Sequence, residues 1–123
     1  MLEFVLDSAS SVELKWEQED AALIAVVAGR IDSSNVFGLE QSVNGGLNVD
    51  HQVCVLDLAD VVYVSSAALA LMLRLAKRYR QEAKGFGVCT QTENIRDVIR
   101  ISGFNRIIDV YDTREDALKG LSA

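Results

Sequence analysis

The stretch QVCVLDLADVVYVSSAALALMLRLAKRYR, residues 52–80, changes its hydrophobic pattern in the middle. It begins with QVCVLDL, a nearly continuous apolar run of the kind that forms a strand buried on both faces of a sheet. It ends with apolar residues at helical spacing. The sequence therefore predicts a strand that leads through ADVVYV into a helix, with Ser65 and Ser66 at the changeover.

The segments before this stretch predict two strands and a helix. VELKWEQ (residues 12–18) alternates apolar and polar residues as a half-buried strand does, and AALIAVVAG (21–29) is a second apolar run. Together they predict an opening hairpin. SSNVFGLEQSVNGGL (33–47) has apolar residues at helical spacing and two glycines at its end, which predicts a short helix.

The segments after the central stretch continue the alternation of strands and helices. They predict, in order, a strand, a helix, a strand and a closing helix: GFGVCTQ (85–91), TENIRDVIRISG (92–103), NRIIDVY (105–111) and DTREDALKGLSA (112–123). Gly103 is expected to end the first of these helices. Asp112 and Glu115 have the spacing of a capping box at the start of the second.

Strands that alternate with helices over short links predict an α/β fold. We expect a mixed, mostly parallel sheet of about five strands, packed with about four helices. The chain lacks proline, and no low-complexity tract or internal repeat marks a linker. A single domain over residues 1–123, with its core at about 12–121, is therefore expected.

The formal net charge of −6 disfavours binding to nucleic acid or to an anionic membrane, because both need a basic surface. A protein partner is the easier expectation. No stretch approaches the roughly 20 apolar residues needed to cross a bilayer. The start, MLEFVLDSAS, has acids where a secretory signal would have basic residues. We therefore expect a cytoplasmic protein without direct membrane insertion.

Two cysteines and one histidine give little reason to expect a metal, a cofactor or catalysis. Cys54 and Cys89 lie inside apolar runs without the paired spacing of a zinc or redox motif, so buried free thiols are predicted. His51 stands in a polar stretch and is expected in a surface loop. A catalytic serine would need this single histidine to reach it from a separate loop, so an enzyme is not predicted.

The two serines at the strand-to-helix changeover have two interpretations. One of them is the N-cap of the helix, a common role for serine that is worth about 1 kcal/mol. Alternatively, one is a working hydroxyl, because free N–H groups and the positive end of the helix dipole at this position would stabilise a phosphate. Local physical chemistry alone favours the cap.

The central stretch resembles the central segment of STAS domains (sulfate transporter and anti-sigma factor antagonist). In that family an apolar strand ending in Asp-Leu leads through a short link to an aromatic and an aliphatic residue, Asp-Ser-Ser/Thr-Gly-Leu and a helix. Six residues match in register: Asp57, Leu58, Val61, Tyr63, Val64 and Leu69. AGRIDSSNVFGLEQSV (28–43) and ENIRDVIRISGFNRIIDVYDTREDALKGL (93–121) are similar to the family's early and closing segments.

The resemblance implies a STAS-like fold of the stand-alone anti-sigma factor antagonist type, and it gives the serines different roles. Ser66 aligns with the serine that is phosphorylated in regulatory members, and Ser65 is a second choice as acceptor. Asp32 aligns with an acid near the phosphorylation loop. Ser65 replaces the usual Asp, which removes a negative charge beside the phosphate. Ala68 replaces the usual Gly, which is expected to add a methyl group where a kinase approaches.

The resemblance also implies partners. The unphosphorylated chain would bind an anti-sigma factor or serine kinase of the histidine-kinase-like ATPase fold, and phosphorylation of Ser66 would release it. A serine phosphatase would restore binding, and a homodimer is compatible with this scheme. A helical wheel predicts an outward stripe on the central helix that is either a solvated face or a docking surface. Its members are Ala67, Leu71, Arg74 and Arg78.

Two other functions stay open at this point. The main alternative is a STAS scaffold or accessory subunit that is not phosphorylated, within a sensory assembly or a lipid-transport ATPase complex. In that case the serines are only structural. A small-molecule binder or enzyme of an unrecognised kind is the more distant alternative.

Overall fold

A computed structural model describes residues 3–5, 12–48 and 51–122 of the chain. The strands are β1 (Glu3–Val5), β2 (Val12–Glu19), β3 (Ala22–Ile31), β4 (Val53–Val64), β5 (Gly85–Cys89) and β6 (Asp109–Tyr111). The α-helices are α1 (Val36–Asn44), α2 (Ser66–Gln81), α3 (Glu93–Ile101) and α4 (Arg114–Ser122). Most of the N-terminal stretch that argued against a secretory signal lies outside the described residues.

The strands form one sheet in the order β1-β2-β3-β4-β5-β6. β1, β2 and β3 pair antiparallel, whereas β3, β4, β5 and β6 pair parallel. The predicted α/β fold, with its mixed, mostly parallel sheet and four helices, is therefore confirmed. The short β1 adds a sixth strand to the expected five, while the domain limits 1–123 stay a prediction.

The sheet separates two hydrophobic cores. The larger core brings buried residues of the sheet together with those of α1, α2 and α3, for example Leu39, Leu75 and Ile99, all of which have 0% exposure. The smaller core lies under α4, where Ala117 packs with Ile24. The position of α1, α2 and α3 on one face of the sheet is expected, because right-handed crossovers between parallel strands place successive helices on the same face.

Three boundaries differ from the sequence-based predictions. β4 continues through the predicted link and ends only at Val64, because it pairs with β3 along its whole length. β6 is shorter than predicted, because residues Phe104–Arg106 form a 3₁₀-helix before it. The cap of α4 is Thr113, whose Oγ1 accepts a hydrogen bond from the Asp116 N–H at 3.0 Å, and the predicted capping box of Asp112 and Glu115 is wrong. The Asp112 carboxylate instead pairs with Arg96.

Both cysteines are buried and free, as predicted. Burial raises the pKa of the Cys54 thiol to about 12, and burial together with the nearby Asp57 carboxylate does the same for Cys89. The prediction of a surface position for His51 is wrong, since this residue is 3% exposed. Its ring centre lies 6.2 Å from that of Tyr79, and the neighbouring Gln52 N–H donates a hydrogen bond to the Ala21 carbonyl.

Candidate functional site

The loops that carry Asp32 and the two serines leave the sheet at the same edge. β3 and β4 are parallel neighbours, and their last paired residues are Ile31 and Val64. Asp32 directly follows the first of these strands, and Ser65 follows the second. The Ser65 N–H donates a hydrogen bond to the Ile31 carbonyl at 2.9 Å, which ties the two loops together.

The structure gives the two serines different environments. Ser65 is the N-cap of α2: its backbone is extended, and its Oγ accepts a hydrogen bond from the Ala68 N–H at 3.2 Å. Ser66 is the first residue of the helix, and it is exposed. The cap, worth about 1 kcal/mol, is therefore made by Ser65, whereas the Ser66 side chain faces solvent.

The Ala68 methyl group lies on the opposite side of α2 from Ser66. Ala68 is 0% exposed and belongs to the larger hydrophobic core. The two residues are separated by two helical positions, or roughly 200° around the helix axis. The expectation that this methyl group narrows the approach to Ser66 is therefore wrong, because the methyl group points into the core.

A hydrogen-bonded turn holds the Asp32 carboxylate in its ionised form. Asp32 Oδ1 accepts hydrogen bonds from the Ser34 Oγ at 2.5 Å and from the Ser34 N–H at 3.0 Å. These two bonds lower the pKa of Asp32, with a smaller contribution from the positive charge of Arg30. The carboxylate at this edge of the sheet is thus a stable negative charge near neutral pH.

Asn35 fixes the position of this turn. Its side-chain Oδ1 accepts a hydrogen bond from the Asp32 N–H at 3.1 Å, and its Nδ2 donates to the Arg30 carbonyl at 2.9 Å. Asn35 is only 5% exposed. Asn35 stands at the N-cap position of α1, but its side chain makes no cap hydrogen bond there and links the end of β3 to the following loop.

The predicted outward stripe on α2 is only partly outward. Leu71 is 0% exposed, so its predicted place on the outer side is wrong. The reason is that α1 packs against this side of α2, and Glu40 of α1 receives a bidentate hydrogen bond from the Arg74 guanidinium, with 2.8 Å for the shortest contact. Ala67 is half-buried, and Arg78 is exposed. The structure thus leaves Arg78 as the stripe's freely exposed charge.

Exposed apolar side chains near the end of β4 were not predicted from the sequence. Val62 is 72% exposed and Tyr63 is 42% exposed. The Arg30 guanidinium lies 4.3 Å from the centre of the Tyr63 ring, in a cation-π arrangement. Phe37, at the start of α1, is 71% exposed. Large exposed hydrophobic residues of this kind are common at protein-binding surfaces.

Two further observations concern metals and membranes. Among the residues that the structure describes, no group of three or more histidine, cysteine, aspartate or glutamate side chains is placed to hold a metal ion. Within the same part of the chain, no helix combines the length and the apolar character needed to span a bilayer.

Comparisons with known proteins agree with this architecture. The STAS domain family matches residues 13–117. BtrV of Bordetella bronchiseptica, which bears the name of an anti-sigma factor antagonist, is 34% identical over 106 residues, covering 86% of this chain and 91% of the relative.

Two solved structures extend the comparison. An anti-sigma factor antagonist from Mycobacterium paratuberculosis superposes with a TM-score of 0.85 at 25% identity, covering 96% of this chain and 100% of that one. The Bacillus protein SpoIIAA in its phosphorylated form has the same fold, with a TM-score of 0.65 at 14% identity over 87% of this chain and 97% of that one. The chain described here belongs to the STAS domain family.

Proposed function

We propose that this chain is a cytoplasmic anti-sigma factor antagonist that works as a phosphorylation switch. In its unphosphorylated form it binds an anti-sigma factor or serine kinase of the histidine-kinase-like ATPase fold, and phosphorylation of Ser66 releases it. A serine phosphatase restores binding. The main support is that the two serines have different environments: Ser65 forms the N-cap of α2, and Ser66 is exposed beside it. The name of BtrV points to the same class of protein.

A phosphate on Ser66 would stand at a favourable electrostatic position. α2 is 16 residues long, and its first turn carries no acidic side chain. The positive end of its dipole therefore faces the phosphate without a competing carboxylate on the same turn. The added charge of about −2 and three acceptor oxygens would be buried against any partner that covers this loop, at a large desolvation cost. The ATP chemistry belongs to the partner kinase.

Ser65 is the poorer acceptor of the two. Its side chain is half-buried, and its oxygen accepts the Ala68 N–H bond that begins α2. A phosphoryl group on this oxygen would have to displace the cap, whereas a group on Ser66 leaves the cap in place. The absence of the family's usual Asp at residue 65 also removes one negative charge that would oppose the phosphate.

Wild-type chain and the variants Ser66→Ala and Ser65→Ala should be incubated with ATP and a kinase of this fold that binds the wild type. We expect intact mass to show one phosphoryl group on the wild type and on Ser65→Ala, and none on Ser66→Ala. Phosphorylation that is lost only in Ser65→Ala would reverse the roles of the serines. A kinase that binds the wild type but never phosphorylates it would refute the switch and favour the scaffold alternative.

The docking surface is proposed to run from Ser66 along the exposed side of α2, past Ala67 to Arg74 and Arg78. Leu71 is excluded because it is buried. Residues 74–84 are the second half of α2 and the three residues after it, and they carry five basic side chains and one acidic one, although the whole chain has a net charge of −6. This charge separation suits a partner with an acidic surface.

Arg78→Glu is expected to weaken partner binding about tenfold, because it reverses a charge at the proposed interface. Titration calorimetry or surface plasmon resonance against the partner, at low and high salt, measures the change. Arg100→Glu is the matched control, since Arg100 is an exposed arginine on α3. Equal affinities for the two variants would argue that α2 is only a solvated face.

A further inference from the structure

β4 contains two extra residues relative to its neighbour β3, both shortly before the serines. The pairs Val26 with Asp57 and Ala28 with Asp60 enclose one residue of β3 but two of β4. A second irregularity follows between Gly29 and Arg30, where Val62 is the additional residue of β4. Bulges of this kind re-aim the strand that contains them and everything that follows it.

The first bulge sets which side chains of β4 face the core. Leu58 and Val61 are three residues apart, a spacing that puts side chains on opposite faces of a regular strand. Both are nevertheless buried in the larger core, with exposures of 0% and 1%. The extra residue of the bulge makes this possible. Without it, every residue from here to Ser66 would shift by one position relative to β3.

The Asp57 carboxylate supports this bulge. Its Oδ1 accepts a hydrogen bond from the Ala59 N–H at 3.0 Å, so the backbone donor inside the bulge has a partner. Its Oδ2 accepts bonds from the Arg114 Nε at 3.1 Å and Nη2 at 2.9 Å. Asp57 is 6% exposed, so a charge at this position requires such compensation.

The Arg114 guanidinium spans the sheet from the first turn of α4. Besides Asp57, its Nη1 donates to the Glu17 Oε1 at 2.6 Å and to the Glu19 Oε2 at 3.4 Å, both on β2. Burial opposes the charged form of Arg114, but the hydrogen bonds that the guanidinium donates to Glu17 and Asp57 outweigh it and raise the pKa of Arg114. β2, β4 and α4 are thereby joined through a permanent positive charge.

We propose that Asp57 and Arg114 are positioning residues for the Ser66 switch. Asp57 holds the bulge at Ala59, and Arg114 holds the Asp57 carboxylate in the orientation that reaches the bulge. The register of the last part of β4 then fixes where the Ser66 hydroxyl stands relative to the end of β3. The expected effect on phosphorylation rests on the proposed function. The expected effect on the position of the loop does not depend on any kinase.

The test compares Asp57→Ala, which removes both contacts, with Asp57→Asn, which keeps an oxygen acceptor for the Ala59 N–H. In Asp57→Ala we expect the Ala59 amide to exchange with solvent about tenfold faster. We also expect the amide NMR signals of residues 61–66 to move. At saturating kinase the rate of Ser66 phosphorylation should fall about tenfold with KM nearly unchanged, since position affects the transfer step. Asp57→Asn should restore most of the rate.

Arg114→Gln should move the same amide signals in the same direction by a smaller amount. If Asp57→Ala fails to fold, the amide signals of Arg114→Gln test the positioning role instead. Arg100→Gln is the matched control, because it breaks the 2.7 Å ion pair with Asp97 on α3, away from β4. Unchanged signals for residues 61–66 in the folded variants of Asp57 and Arg114, or an unchanged phosphorylation rate, would overturn the inference. If the wild type accepts no phosphate, the proposed function fails, and the amide signals still decide whether these residues position the loop.

Discussion

Replacing Leu71 with alanine is expected to lower the free energy of unfolding by about 2–5 kcal/mol. Leu71 is fully buried and lies in the larger core with Leu39, Val43 and Leu75. Truncation removes its transfer free energy and leaves a cavity between α2 and its neighbours, which a close-packed interior fills only in part. Urea denaturation followed by circular dichroism measures the loss.

Leu73→Ala is the matched control for this prediction. It removes the same atoms from the same helix, but Leu73 is only half-buried at the edge of the core. The Leu73→Ala change should lower the free energy of unfolding by about 1 kcal/mol, near the value for partial burial of a leucine side chain. Equal losses for the two variants would contradict the burial of Leu71. A loss of partner binding in a partly unfolded Leu71→Ala protein would reflect this destabilisation and would not identify a docking residue.

Leu71 also shows where sequence-based prediction ends. The helical spacing of α2 correctly predicts a helix, and the helix buries an apolar face that includes Met72 and Ala76. Whether an apolar side chain at the border of the buried face is itself buried, however, depends on which element packs beside it. Here α1 covers that border and Glu40 of α1 binds Arg74. Such a contact joins residues 34 positions apart in the chain, and no local pattern contains it.

The end of β4 also could not be predicted from local sequence. The apolar run of residues 53–58 predicts a strand, but its continuation to Val64 depends on two bulges that arise from pairing with β3. His51 behaves likewise, since a polar neighbourhood predicts exposure, whereas in the structure its ring packs beside that of Tyr79. Tertiary pairing decides these positions.

More of the candidate site could be predicted from the expected order of the strands than from hydrophobic periodicity alone. Asp32, Ser65 and Ser66 follow two strands that a parallel sheet brings to one edge, and the structure places them there. Local physical chemistry could not say which serine caps the helix, because both have suitable side chains. The Ser65 hydrogen bond to the Ala68 N–H answers that question. Asn35 escaped prediction because its two hydrogen bonds depend on the shape of the loop.

Ser66→Asp is expected to weaken binding of the anti-sigma factor or kinase about 100-fold, while Ser65→Asp leaves it within about threefold of wild type. The two variants add the same charge at adjacent positions. At residue 66 the carboxylate projects from an exposed site into any partner that covers the loop, and its desolvation there has no compensating cation on α2's first turn.

At residue 65 the same carboxylate accepts the Ala68 N–H as the serine does now, and aspartate is as good an N-cap as serine. Its charge is then held half-buried against the helix N-terminus. Affinities measured by calorimetry on folded variants separate the two positions. A comparable loss for both would mean that the partner senses the total charge of the loop and that Ser66 has no special place in it. A loss confined to Ser66→Asp would mean that the partner senses a charge at the exposed residue and not at the half-buried cap beside it.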